Sequence, residues 1–129
     1  MSQSNGSSAR PLAVVTGASS GIGRELAKVF AQEGYDLVAA AEPVAHAGVT
    51  LDDAAAELRT LGAQVEAVPV DLATVDGVEQ LARRVEALGR PVEALALNAG
   101  VGLGGAFLEQ PVDRILNLVD LNVRSTVHL

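Results

Sequence analysis

The feature that most constrains the fold of this chain is a glycine-rich turn between an apolar run and an amphipathic segment. Residues 16–23 read Thr-Gly-Ala-Ser-Ser-Gly-Ile-Gly. The run before them, 12–15, has the length of a buried strand, and the segment after them has helical periodicity. Glycine backbone can approach a phosphate closely, and a helix N-terminus carries partial positive charge. The pattern therefore predicts a strand–turn–helix unit that cradles the pyrophosphate of a dinucleotide.

The same alternation continues along the chain. Apolar runs predict four strands, over residues 12–15, 37–41, 65–70 and 94–97. Amphipathic segments predict helices that begin at Gly21, after Thr50, after Thr74 and near Pro111, where serine, threonine or proline suits a first turn. Thr50 and Asp53 have the spacing of a capping box. Strands that alternate with helices indicate an α/β fold, a Rossmann-type doubly wound parallel sheet with helices on both faces.

The apolar faces of the first and last helices can be read from the same periodicity. The first helix is expected to present Ile22, Leu26, Val29 and Phe30 on one side. The last helix is expected to have an apolar face formed by Val112, Ile115, Leu116, Val119 and Val123.

Composition excludes several classes of function. The net charge of −7 disfavours nucleic acid, whose phosphates need a basic surface. The chain has no cysteine, and its histidines, His46 and His128, lack metal-ligand spacing, so we expect no metal site. No apolar run reaches the roughly 18 residues of a membrane span. Residues 1–10 lack the apolar block of a signal peptide, so we expect a flexible tail on a cytoplasmic protein.

The spacing of Gly17, Gly21 and Gly23 suits a dinucleotide cradle, in which Ser19 and Ser20 can donate hydrogen bonds to phosphate or ribose. A nucleoside-triphosphate P-loop is disfavoured, because Arg24 follows the last glycine where that motif would continue with lysine.

Glu42 ends the second predicted strand. A carboxylate there can accept hydrogen bonds from the adenosine ribose and would repel a 2′-phosphate. No lysine or arginine lies between residues 36 and 58. The sequence thus favours NAD over NADP, although Arg24, just past the glycines, argues in the other direction.

Four segments together resemble the classical short-chain dehydrogenase/reductase family. They are the motif of residues 16–23, which includes Ile22, Asp71-Leu72 after the third strand, Asn98-Ala99-Gly100 after the fourth, and Asp120-Leu121-Asn122-Val123 in the last helix. The resemblance implies that Asp71 and the next backbone N–H hold the adenine, and that Asn98, Ala99 and Gly100 line the cofactor site. It also implies that Asn122 is the asparagine of the catalytic tetrad. Each segment alone has a simpler explanation, as a cap, a turn or an incidental helix residue.

The family chemistry is hydride transfer between a nicotinamide and an alcohol or ketone. The resemblance implies a tyrosine acid/base assisted by a lysine in Tyr-x-x-x-Lys, a serine that orients the substrate oxygen, and an asparagine that holds a water of the proton relay through its backbone geometry. Tyr35 is the only tyrosine and Lys28 the only lysine, and neither has this spacing. Only Asn122 of the catalytic set is present.

We therefore expect residues 11–129 to be an incomplete NAD(P)-binding domain, the N-terminal half of a family member, cut off within its last helix and inactive alone. The fourth strand would then be an uncovered sheet edge, which is an aggregation hazard. The parent would be an oxidoreductase of a small alcohol or ketone and, by resemblance, a homo-oligomer.

Two other functions remain open on the sequence. One is a non-catalytic binding or regulatory module that pairs with a partner chain through the sheet edge or the last helix. The other is a Rossmann-type enzyme of another kind, such as an epimerase, which the glycine spacing disfavours.

Overall fold

A computed structural model describes residues 10–45 and 48–129; the rest of the predicted tail and His46 lie outside this range. The strands are β1 (Leu12–Thr16), β2 (Asp36–Ala41), β3 (Val65–Pro69) and β4 (Val92–Ala96). The helices are α1 (Gly21–Gln32), α2 (Leu51–Thr60), α3 (Val75–Ala87), α4 (Val112–Val119) and α5 (Ser125–His128). A 3₁₀ turn (Phe107–Glu109) precedes α4, and a π-helical turn (Asp120–Arg124) joins α4 to α5. The four predicted strands and the predicted helix starts are confirmed.

The four strands form one parallel sheet in the order β3-β2-β1-β4. Alternate residues of β1 enter different cores: Ala13 and Val15 pack on the side of α1 and α2, and Val14 packs on the side of α3. Helices therefore cover both faces, and the predicted doubly wound α/β fold is confirmed. In such a sheet the carboxyl ends of all strands meet at one edge, where ligands bind.

Side-chain caps fix the starts of two helices. The Thr50 hydroxyl accepts a hydrogen bond from the Asp53 amide at 3.1 Å, and the Asp53 carboxylate accepts one from the Thr50 amide at 3.1 Å. The hydrogen bond from the Thr50 backbone amide lowers the pKa of Asp53, and the hydrogen bond with the Thr50 side chain lowers it further. Thr74 caps α3 by accepting from the Gly77 amide at 2.9 Å. Both predicted caps are confirmed.

The face of α1 that packs on the sheet is not the one expected from its large apolar residues. Gly23, Ala27 and Ala31 are buried, whereas Ile22 is 74% exposed and Val29 is 53% exposed. Small residues at successive four-residue steps let the helix axis lie close to the sheet, so they take the inner face.

The expected apolar face of α4 is also largely solvent-exposed within the described chain. Val112, Leu116, Val119 and Val123 are exposed, and only Ile115 is half-buried. Leu121 is buried instead, among residues of the α3-side core. β4 forms one edge of the sheet, as expected, and its Val92 and Leu95 are exposed.

A buried carboxylate anchors the amino-terminal edge of the sheet. Asp36, at the start of β2, is almost fully buried and accepts a hydrogen bond from the Gln64 amide at 2.9 Å. Its two oxygens lie 3.1 Å from Arg10 Nε and 3.0 Å from Arg90 Nη2. Arg10 precedes β1 and Arg90 precedes β4, so one carboxylate links the starts of three neighbouring strands.

Replacing Asp36 should destabilise the fold without touching the opposite edge. In Asp36→Asn the two guanidinium groups lose their shared anion, and we expect the free energy of unfolding to fall by about 1.5–3 kcal/mol. Urea unfolding followed by circular dichroism measures this loss. Glu93→Gln, on the exposed side of β4, is the matched control and should change stability by less than about 0.5 kcal/mol. Equal losses in the two variants would contradict the anchoring role.

Candidate functional site

A cleft of about 420 Å³ opens at the carboxyl edge of the sheet. It lies where β1, β2 and β4 end and α1 begins, with Leu121 at one wall. The cleft brings together ten of the twelve predicted cofactor residues, namely Gly17, Ser19, Ser20, Gly21, Ile22, Glu42, Leu72, Asn98, Ala99 and Gly100. Gly23 and Asp71 are not among its lining residues.

The turn after β1 forms the floor of the cleft. Gly17 and Gly21 have φ of 67° and 55°, a left-handed conformation that favours glycine. The Ala18 amide donates to the Ala40 carbonyl at 3.1 Å, which ties the turn to the end of β2. Ser19, within the turn, is buried, and Ser20 is half-buried at the start of α1.

Gly23 supports the cleft from below. A Cβ atom at this position would lie 2.1 Å from the Gly17 carbonyl oxygen and 2.5 Å from Asn98 Nδ2. Real Cβ atoms do not make such contacts, so only glycine lets α1 reach the turn. Gly23 therefore sets the distance between the helix N-terminus and the cleft floor.

The N-terminus of α1 differs from those of α2 and α3. The Ser20 side chain makes no capping hydrogen bond, whereas Thr50 and Thr74 cap their helices. The first turn of α1 holds no acidic residue, whereas those of α2, α3 and α4 each hold at least one aspartate. First-turn amides of a helix lack intrahelical acceptors. The positive end of α1 beside the cleft is thus left without a side-chain cap and without an acidic residue in its own first turn.

Glu42 follows β2 directly and lines the side wall of the cleft, half-buried. Arg24, the one feature that argued for NADP, is engaged elsewhere. Its Nε and Nη2 atoms lie 3.2 Å and 3.0 Å from the same oxygen of Glu57 on α2.

Of the Asp71-Leu72 pair, Leu72 lines the cleft and Asp71 lies in the turn that leads into α3. Leu72 is buried and lines the cleft. Asp71 is exposed, and its Oδ1 accepts a hydrogen bond from the Ala73 amide at 2.9 Å. Its carbonyl packs so closely on α3 that a Cβ on Gly77 would lie 1.9 Å away. Asp71 therefore shapes the turn into α3 through its carbonyl and its Oδ1 atom.

Thr16, at the end of β1, fixes the Asn98-Ala99-Gly100 segment. Its buried hydroxyl oxygen accepts hydrogen bonds from the Asn98 amide at 2.9 Å and the Ala99 amide at 3.0 Å. This places the segment beside the glycine turn. Thr16 was not among the predicted site residues, although a polar residue at the end of an otherwise apolar strand was a signal that could have found it.

Asn122 lies in the π-helical turn and faces the loop after β4. Its Oδ1 accepts from the Val101 amide at 2.9 Å, and its Nδ2 donates to the Val101 carbonyl at 2.8 Å. The side chain thus holds Val101, another lining residue that sequence reasoning missed. The Asn122 carbonyl accepts a hydrogen bond from the Thr126 hydroxyl at 3.2 Å.

Tyr35 and Lys28 lie away from the cleft lining, as expected. The Tyr35 ring packs edge-on against Phe30, with ring centroids 5.0 Å apart, and its carbonyl accepts from Arg10. Lys28 lies 3.5 Å from Glu25. Within residues 10–45 and 48–129, no group of three acidic, histidine or cysteine residues could hold a metal ion. No helix in this part of the chain has the length and apolarity to cross a membrane.

Residues 11–129 match the model of the short chain dehydrogenase family. A probable oxidoreductase, EphD, of Mycobacterium tuberculosis is 35% identical over 117 residues, which cover 91% of this chain and 19% of that protein. The 1-deoxy-11-beta-hydroxypentalenate dehydrogenase of Streptomyces arenae is 40% identical over 85% of this chain and 38% of its own length.

Among solved structures, L-sorbose reductase from Gluconobacter frateurii, complexed with NADPH and L-sorbose, superposes with a TM-score of 0.83 at 33% identity. The match covers 94% of this chain and 45% of that one. The chain thus spans less than half the length of these relatives. The glycine turn, the strand-end segments and the matched residues together establish that this chain belongs to the short-chain dehydrogenase family.

Proposed function

We propose that this chain binds a nicotinamide dinucleotide across the cleft at the carboxyl edge of its sheet. The observation that carries the proposal is the uncapped, acid-free N-terminus of α1 beside a cleft lined by the glycine turn. Backbone amides and the helix dipole suit a pyrophosphate there. Glu42 and Leu72 line the adenosine side, and the Asn98-Ala99-Gly100 segment lines the opposite wall.

The reaction that we propose for the protein is hydride transfer between the cofactor and a small alcohol or ketone. The activities of two relatives support this class, since one is a dehydrogenase and the other is a reductase. When bound, the dinucleotide supplies or accepts the hydride. The 129 residues contain no Tyr-x-x-x-Lys for proton transfer. We therefore propose that they bind the cofactor without turning over an alcohol.

We propose that the Asn122 side chain has a positioning role in that chemistry. Both of its side-chain polar atoms are engaged with Val101, so the side chain holds the loop after β4 against the cleft. Its backbone carbonyl, in a π-helical turn, accepts from the Thr126 hydroxyl and has a second lone pair, which we propose accepts from a water of the proton relay. π-Helical turns inside α-helices often occur at functional sites.

The preferred cofactor is NAD. Glu42 lies on the cleft wall where the ribose of the adenosine is expected, and its charge opposes a 2′-phosphate. A relative is complexed with NADPH, so family membership alone does not favour NAD, and the proposed preference rests on local charge. We also propose that the protein is cytoplasmic.

A second function, as a non-catalytic module that pairs with another chain, is favoured by the exposed apolar face of α4. Val112, Leu116 and Val123 are each more than half exposed. Contiguous apolar surface of this kind marks protein interaction sites. The partner that we propose is a second copy of the chain, in line with the homo-oligomers expected from the family resemblance.

A charge at the start of α1 should separate phosphate binding from helix stability. Ser20→Asp and Ser20→Asn both supply a good N-cap and should leave unfolding midpoints at or above the wild-type value. The aspartate also places an anion where the pyrophosphate is proposed to bind, so NAD affinity should fall about tenfold below that of Ser20→Asn. Isothermal titration calorimetry measures the NAD affinities of the two variants. Equal affinities in the two variants would argue against the phosphate site.

Removal of the Glu42 charge should change cofactor choice rather than cofactor binding. In Glu42→Gln the NADP affinity should rise about tenfold relative to the NAD affinity, because the repulsion of the 2′-phosphate is lost. Calorimetric titration with each dinucleotide gives the ratio. Glu33→Gln, at the far end of α1, removes the same charge and should leave the ratio unchanged. A wild-type chain that prefers NADP would overturn the assignment.

A charged residue on the α4 face should prevent pairing. We expect Leu116→Lys to raise the dissociation constant of the dimer at least tenfold, since burial of the lysine charge opposes contact. Sedimentation velocity over a range of concentrations measures it. Leu108→Lys is the control, because Leu108 is exposed but lies outside α4. A wild-type chain that stays monomeric throughout would exclude pairing through this face.

A further inference from the structure

Two cations of α1, Arg24 and Lys28, contact the same carboxylate of α2, that of Glu57. Arg24 Nε and Nη2 lie 3.2 Å and 3.0 Å from Glu57 Oε1. Lys28 Nζ lies 3.9 Å from the other oxygen of the same side chain. The two atoms of Arg24 that contact Glu57 are adjacent donors of one guanidinium, which fixes its direction toward α2.

Arg24 lies on the same side of α1 as Ser20, because residues four positions apart are neighbours on a helix surface. Its amide donates to the Ser20 carbonyl at 3.2 Å, so it lies one helical turn beyond the cleft-lining Ser20. The glycine turn is itself bonded to the end of β2 through Ala18 and Ala40. The contact with Glu57 shows that the side chain extends toward α2, the helix that follows Glu42 and the end of β2.

The neighbouring sequence offers a 2′-phosphate no other cation. Residues 36–58, which span β2, the loop after it and most of α2, contain no lysine or arginine. The next arginine, Arg59, donates to the Val65 carbonyl at 2.8 Å. Arg24 is therefore the strongest candidate among the described residues for a phosphate-binding group on this side of the cleft, and its guanidinium contacts Glu57.

We propose that Glu57 is a positioning residue for cofactor selectivity, which holds Arg24 away from the 2′-position and so disfavours NADP. The inference rests on the proposed dinucleotide function and deepens it. Glu42 acts on a 2′-phosphate by direct repulsion, whereas Glu57 acts through Arg24. Both groups of the pair are about one-third exposed, at 34% for Arg24 and 36% for Glu57. Solvent weakens ion pairs of this exposure, so a competing phosphate needs little free energy to separate Arg24 from Glu57.

The test compares carboxylates of the same surface network. Glu57→Ala releases Arg24, whereas Glu25→Ala removes an equal charge that contacts Lys28 and leaves the Arg24 pair intact. Calorimetric titration of the full 129-residue chain with NAD and with NADP gives each affinity. We expect Glu57→Ala to raise NADP affinity about five- to tenfold, with NAD affinity within about twofold of wild type. Glu25→Ala should change the NADP-to-NAD ratio by less than about twofold.

A double variant separates positioning from a general structural effect. In Arg24→Gln/Glu57→Ala the gain should disappear, and in Glu57→Asp, which keeps the carboxylate, the wild-type ratio should be largely retained. Equal gains in Glu57→Ala and Glu25→Ala, or a gain that survives the loss of Arg24, would overturn the inference while leaving NAD binding in place. A wild-type chain that binds neither dinucleotide would overturn the proposed function, and the inference with it.

Discussion

The close packing of α1 on the turn after β1 is the contact on which the rest of the structure depends. It is possible because Gly23 has no side chain, since a Cβ there would lie 2.1 Å from the Gly17 carbonyl and 2.5 Å from Asn98. The same approach puts the first turn of the helix at the cleft and its small-residue face on the sheet. One steric requirement thus sets both the core on this side of the sheet and the position of the phosphate cradle.

Charge is distributed differently at the two edges of the sheet. At the amino-terminal edge, Asp36 is buried and its charge is matched by Arg10 and Arg90. At the carboxyl edge, the α1 N-terminus carries no compensating carboxylate of its own first turn. Buried charges are matched where stability is required, and a partial charge is left unmatched where a ligand is proposed to bind. The contrast is an argument for the site that does not depend on any relative.

Sequence periodicity predicted the strands and helix starts because caps and apolar runs are local signals. Thr50 and Thr74 act within a few residues of their own position. Most of the candidate site was also predictable, because its residues follow predicted strands and parallel strands bring their carboxyl ends together. What could not be predicted were contacts between distant segments. The hydroxyl of Thr16 holds residues more than 80 positions away, and Arg24 is engaged by a carboxylate 33 residues later.

The apolar face of α4 keeps the spacing that the sequence predicts, but no element of the described chain covers it. Val112, Leu116, Val119 and Val123 follow one another at steps of four, three and four residues, and all are exposed. After α4 the chain forms a π-helical turn over Asp120–Arg124, which has more residues per turn than an α-helix and so shifts the phase of the residues that follow. Leu121 and Ser125 are buried in this region. The same turn brings Asn122 to Val101, so the irregularity positions the asparagine that the family resemblance implies for the catalytic tetrad.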